Sequence, residues 1–399
     1  MKVLAADILV PKCDLYKFCC VACDQFTGDA EYWRKAEEIS KNSPAAINIV
    51  FPEIYLSKDN ALRTESINKT MENYLENGVF EEYPDSVFYI ERTLNDGRIR
   101  KGVVAKIDLE EYDYSKNTHS AIRPTEGTIE DRLPPRVAIR KNAPLELPHI
   151  MLLINDEKRE IIEGLENKEK TLVYSTPLML SGGSIKGYKL EKSVQNALLK
   201  TLNALETGRE NNKITFAVGD GNHSLATAKK CWDMIKPNLS AEERKDHPAR
   251  FALCEIVNLH SPALDFEPIH RIVYNVDVNA FVGEFMKHSA PDGQECMLLF
   301  GNEKKKISLS PSHYLTVGTV QNIIDAYVNE HGGEVDYIHE PEQAEENAKT
   351  ANTVGILVDG LKKSDLFDAV VSFGALPRKT FSMGMGIDKR YYLESRKIK

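Results

Sequence analysis

Apolar residues along this chain recur with a period that switches between about two and about 3.6, and each switch marks an element. Helical spacing comes first in "DAEYWRKAEEISKNS", with Asp29 placed to cap it. It returns in "ALRTESINKTMENYLENGVF", where Leu62, Ile67, Met71 and Leu75 share a face and Gly78 supplies a stop. "KFCCVAC" and "AAINIVFPEIYL" read as buried strands. "SVFYIERTLNDGRIRKGVVAKIDLEEY" reads as a hairpin about Asn95-Asp96-Gly97. "HIMLLIND", "KITFAVGD", "ARFALCEIVNL", "ECMLLFG" and "TVGILVDG" predict further strands. "SVQNALLKTLNALETG", with a glycine C-cap, "HSLATAKKCWDMIK" and "TVQNIIDAYVNEHGG" predict helices between them.

This alternation predicts an α/β chain of mixed α+β character, a composite with mixed sheets. With no repeat, low-complexity tract or long linker, soft boundaries fall near 148 and 280. They give an N-terminal α/β region (1–148), a central region (149–280) and a C-terminal α/β region (281–399).

Composition narrows the class. The 399 residues carry a net charge of -9, which argues against a general nucleic-acid binder. No apolar run reaches the ~18 residues of a membrane helix. The start "MKVLAADILVPK" lacks the build of a secretory signal because Asp7 interrupts it. The expectation is a cytoplasmic protein that acts on a small molecule. Its oligomeric state is left open. The seven cysteines are irregularly spaced, which speaks against a disulfide framework. Cys20 and Cys23 form a C-x-x-C, but no second Cys/His pair follows, so the run reads as buried apolar packing.

Candidate chemistry begins with "GDGNHS", residues 219–224, between a strand and a helix. One reading is a connector capped by Asn222 or Ser224. The other is an anion cradle. Gly219 and Gly221 would let backbone approach a ligand, the helix start would offer free N–H groups, and Asp220 would hold magnesium or take a proton. His223 and Ser224 would sit on the first helical turn. The stretch matches neither the Walker A loop nor G-x-G-x-x-G.

Four more segments concentrate polar groups. "IRPTEGTIEDRLPPRVAIRK" carries Arg123, Arg132, Arg136, Arg140 and Lys141 among Glu126, Glu130 and Asp131. Arginine forks suit phosphate, and Pro134 and Pro135 argue for an irregular segment. "FEPIHRIVYN" places Glu267, His270 and Arg271 near a strand end, and "ACDQFTGDAEYW" places Asp24, Gln25 and Thr27 after a strand. "LPRKTFSMG" adds Arg378, Lys379 and Thr380. Convergence of Asp24, Arg123, Arg271 and Lys379 on one cleft is the expectation that makes sense of these scattered segments.

These motifs together resemble the uncharacterised family catalogued as domain of unknown function 1015, over nearly the whole chain. Many relatives write the "DGNHS" motif as D-G-H-H-R, which is similar to the nucleotide-binding turn of the ParB and sulfiredoxin superfamily, including free-serine kinases. Asp220, Gly221 and His223 match it, while Asn222 replaces a histidine and Ser224 replaces the arginine. The resemblance implies a small-molecule phosphotransferase with ATP, ADP or pyrophosphate as candidate donor and Mg²⁺ as candidate counter-ion.

Under that reading Asp220 or Glu126 takes the acceptor's proton, with His223 as alternative. Gly219, Gly221, Asn222 and Ser224 cradle phosphate. Arg123, Arg136, Arg140, Arg271 and Lys379 are the candidate cations in place of the missing arginine, and Asp24, Gln25, Thr27 and His270 contact substrate. Two alternatives fit the same residues. One is a non-catalytic nucleotide-binding regulatory module. The other is a His/Asp acid–base enzyme acting on a phosphate- or carboxylate-bearing metabolite.

Overall fold

The computed structural model describes residues 1–56, 60–116 and 118–399. They form two compact units. The first comprises Met1–Leu264 and Met385–Lys399, and the second Asp265–Gly384. The expected boundary near 148 therefore falls inside one unit, and the later division lies at 264/265 rather than near 280.

A nine-stranded mixed sheet organises the first unit. Its strands are β1 (Val3–Leu4), β2 (Phe88–Thr93), β3 (Ile99–Asp108), β4 (Ile122–Pro124), β5 (Met151–Ile154), β6 (Lys170–Pro177), β7 (Ser184–Leu190), β8 (Phe216–Asp220) and β9 (Phe251–Asn258). The order is β4-β8-β5-β9-β3-β2-β7-β6, with β1 paired to β3. β8 runs parallel to β4 and antiparallel to β5, and β9 runs parallel to β5. A boundary at 148 would cut this sheet, whose neighbours β9 and β3 come from either side of it.

Alternating residues fill two cores, as strand geometry requires. Phe88, Ile90 and Val104 pack with Trp33 of α1 (Ala30–Ile39) and with Ile67 and Met71 of α2 (Ala61–Glu76). Tyr89, Val103 and Ala105 face Leu198 and Leu202 of α4 (Lys192–Ala204) and Trp232 of α5 (Asn222–Ile235). The remaining helix of eight residues or more in this unit is α3 (Leu133–Arg140).

Two expected helix-end signals are in place. The Asp29 side chain accepts from Tyr32 N–H, and Gly78 takes a positive φ just beyond α2. On α2 only Ile67 and Met71 are buried, while Leu62 is exposed. Four expectations need correction. "KFCCVAC" takes in the end of the short helix Leu15–Phe18 and one bridge at Val21, and "AAINIVFPEIYL" forms two single turns. Pro134 and Pro135 open α3 instead of barring it, because first-turn residues have no intrahelical N–H bond to lose. α4 ends with Leu205 as its C-cap, ahead of Gly208.

In the second unit five antiparallel strands carry the fold: β10 (His270–Tyr274), β11 (Ser289–Phe300), β12 (Glu303–Leu309), β13 (Glu334–Ile338) and β14 (Val354–Leu357), ordered β12-β11-β14-β10-β13. α6 (Val278–Lys287) and α7 (Thr316–His331) pack Phe281 and Val320 on one face, and α8 (Pro341–Asn347) packs Ala344 on the other. No helix among the described residues is long and apolar enough to cross a membrane.

Candidate functional site

The "GDGNHS" stretch is the turn from β8 into α5. Gly221 is the N-cap residue, at φ +76°, and no side chain caps the helix start. Neither Asn222 nor Ser224 serves as the cap. Glycine is required twice over: the left-handed conformation disfavours other residues, and a Cβ here would lie 2.9 Å from Ile150 Cα. The register shift between Val218 and Asp220 falls at Gly219. An uncapped start of a 14-residue helix leaves N–H groups and the positive end of a dipole for an anion.

Asp220 accepts from Gly221 N–H at 3.0 Å through Oδ1, and its Oδ2 lies 3.3 Å from Lys389 Nζ. Lys389 is 8% exposed and arrives with the C-terminal segment. A buried cation thus stands at the turn.

The loop after β4 runs alongside. Thr125 Oγ1 donates to Val218 O at 2.7 Å, and Ile129 N–H donates to His223 Nε2 at 3.4 Å. That Nε2 is therefore an acceptor, and the neutral ring carries its proton on Nδ1. Glu126 belongs to this loop.

A histidine that sequence reasoning passed over organises the other side. β5 pairs Met151 with Asp220, so the residues just before β5 reach the turn. His149 Nε2 lies 2.9 Å from Ser224 Oγ and 3.7 Å from Asp24 Oδ2, while Nδ1 lies 2.8 Å from Tyr392 OH. Tyr392 already accepts from Cys23 N–H at 3.0 Å. Burial holds the Tyr392 phenol well above its ordinary pKa, so it keeps its proton. The ring thus lies between the Tyr392 phenol at Nδ1 and Ser224 and Asp24 at Nε2.

Burial pushes the Asp24 carboxyl up most strongly. His149, the Gln25 amide, Lys389 and its own backbone N–H together outweigh that and hold it below the ordinary carboxylate range. Gln25 donates to Asp24 at 3.0 Å, and Thr27 lies exposed further along the same loop. Burial pushes the Cys23 thiol up to about 12, which suits packing and not nucleophilic chemistry. No cluster of three metal-ligating side chains occurs among the described residues.

The candidate arginines have other commitments. Arg123 is buried and donates to Ser120 O and Lys213 O at 2.8 and 2.7 Å, toward the end of β4 opposite the turn. Its expected place in a phosphate cleft is corrected on that ground. Arg136 is paired with Glu53 and Arg140 with Glu146. Arg271 belongs to the second unit, where it donates to the carbonyls of Ile269, Arg378 and Lys379. His270, in the same unit, accepts from Val358 N–H at 3.3 Å through Nδ1. The first unit thus brings Asp24, Asp220, the α5 start and the Glu126 loop together without Arg123.

His149 and Lys389 left little trace in the sequence. A single histidine before an apolar run and a lysine near the chain's end acquire meaning only from strand register and the path of the C-terminal segment.

The chain belongs to the family described as Protein of unknown function (DUF1015), which it matches over residues 8–397. No curated protein matches it. Among solved structures it is similar to a free serine kinase mutant in complex with AMP, at 12% identity and a TM-score of 0.42, covering 74% of this chain and 92% of that one. A second, in complex with ADP, has 11% identity and a TM-score of 0.41 over 75% and 93%. SbnI with a C-terminal truncation, from Staphylococcus aureus, has 10% identity and a TM-score of 0.37 over 71% and 82%.

Proposed function

We propose that the chain is a small-molecule phosphotransferase of the free-serine-kinase type, built on a ParB-like strand–turn–helix unit. The single observation that carries this reading is the uncapped start of α5 behind Gly221, with the Lys389 ammonium 3.3 Å from Asp220. Donor phosphates of ATP, ADP or pyrophosphate rest on the N–H groups of residues 222–224, and Lys389 supplies the positive charge beside them.

In the transfer, the bond from phosphorus to the leaving phosphate oxygen breaks and a bond to the acceptor's hydroxyl oxygen forms. The hydroxyl proton passes to Asp220 or Glu126, because the His223 Nε2 lone pair already accepts from Ile129 N–H. His149 orients Ser224 and Asp24 at the acceptor's side, and Asp24 holds an acceptor amine where one is present. Mg²⁺ is commonly held by one or two carboxylates plus substrate phosphates, and Asp220 or Asp24 would supply one of them. Bound there, it would neutralise charge on the transferred group.

Calorimetric titration of the full chain with ATP, ADP, AMP and pyrophosphate, with and without Mg²⁺, tests the reading. Absence of heat with every phosphate compound refutes it. Binding without turnover across a panel of hydroxyl acceptors would instead make the chain a regulatory nucleotide-binding module.

The contacts of His149 with Ser224 and Asp24 favour a second reading, a His/Asp acid–base enzyme on a phosphate- or carboxylate-bearing metabolite. Ser224→Arg separates the two. A phosphate donor site tolerates the arginine or binds tighter, whereas an acid–base site is obstructed by it.

A further inference from the structure

Beside the α5 start lies a cavity of about 150 Å³. Its walls come from the 49–56 segment, α2, α3 and the 143–150 segment, and most of their surface is apolar, from Ile49, Phe51, Leu56, Met71, Ile139 and Leu147. At one end stand Ser224 and His149, the pair joined at 2.9 Å, with Tyr392 and Cys23.

The charged residues of the lining are Arg136, Glu53, Arg140 and Glu146, and they are paired with one another. Each of these four groups thus already has an ion-pair partner, and Arg396 holds Glu146 as well. Cavities of about this volume with aliphatic and aromatic walls take benzene-sized apolar guests. Free serine, with one short polar side chain, would leave those walls uncovered.

We propose that the acceptor of phosphoryl transfer is a small alcohol carrying a neutral, ring-sized apolar body. The body fills this cavity and the hydroxyl points to the His149–Ser224 end. The inference rests on the phosphotransferase reading and replaces serine with an apolar alcohol as the substrate class. In the reaction the alcohol oxygen gains the phosphoryl group from a nucleotide or pyrophosphate, which leaves with one phosphate fewer. The alcohol's proton goes to the site's base.

The test uses the full chain with methyl-labelled methionine, because Met71 lines the cavity. Its signal is assigned by its disappearance in Met71→Leu. Benzyl alcohol, 2-phenylethanol and serine are titrated separately, each with and without ADP. Benzyl alcohol is expected to shift the Met71 methyl saturably and to bind at least about tenfold tighter than serine, the ratio expected from burying one ring. Ile139→Trp, which fills the cavity, is expected to abolish the shift. Where that variant fails to fold, the wild-type titration still decides.

No saturable shift, or serine binding as tightly as the aromatic alcohols, overturns the proposal. If ADP binds and the alcohols do not, this inference falls and the phosphotransferase reading stands. If the alcohols bind and no phosphate compound does, the phosphotransferase reading falls and takes the acceptor role with it.

Discussion

Lys389→Met removes the ammonium at the turn while keeping most of the buried stem. In the wild type that charge lies 3.3 Å from Asp220 Oδ2. A donor phosphate on the α5 start adds a second anion to the same cation. Two unit charges about 4 Å apart at an effective dielectric near 20 interact by ~4 kcal/mol before desolvation. Lys389 shares its charge with Asp220, so the net figure is that of one charge-assisted hydrogen bond, about 1.5–3 kcal/mol. Pyrophosphate and ADP should therefore bind about 10- to 150-fold more weakly to Lys389→Met. Lys389→Arg, which keeps the charge, should restore most of that affinity. Calorimetry at two ionic strengths reads both, and circular dichroism confirms that the variants fold. Unchanged pyrophosphate affinity in a folded Lys389→Met protein would refute the assignment of Lys389 as the replacement cation.

Three further predictions concern neighbouring features. Gly221→Ala should lower the unfolding free energy by at least the ~1–2 kcal/mol of a left-handed non-glycine residue, with more added by the close approach to Ile150, as read by urea denaturation. Arg123→Met strips two carbonyls of their donor and should destabilise by about 1–3 kcal/mol while leaving ADP affinity unchanged; a large loss of ADP binding would return Arg123 to the site. The third concerns pH. Burial pushes the Glu255 carboxyl up most, but Arg100 and Arg390 outweigh it and hold the pKa below the ordinary range. A depressed carboxylate pKa contributes stability that is complete above the unfolded value of about 4.3 and is lost as pH falls through the folded value. Glu255→Gln should cost about 3–5 kcal/mol at neutral pH and flatten the acid limb of the stability profile.

Some local features were legible in the sequence, where a residue's own covalent nature decides its conformation. Asp29 caps α1, Gly78 follows α2, and the Asn95-Asp96-Gly97 hairpin joins β2 to β3. Such features depend on neighbours within one turn of chain, so spacing reveals them. Where local preference was overruled, the cause was tertiary or positional. The β-prone runs at 17–23 and 45–56 form turns in the first core instead of strands, and the proline pair starts α3 because its first turn has no N–H bond to lose.

The partners of the turn could not be read from the sequence. Asp220, Gly221 and the helix after them were visible as a candidate anion site, but His149 reaches them through the β5–β8 register and Lys389 through the return of the C-terminal segment into the first unit. Arg123 illustrates the converse. Its residue type suited phosphate, yet burial left its guanidinium nowhere to go but backbone carbonyls. The sequence by itself determined that a strand would hand a glycine-bearing turn to a helix. Only the tertiary structure decided which cation, which histidine and which apolar walls surround it, because those contacts join residues that no local periodicity connects.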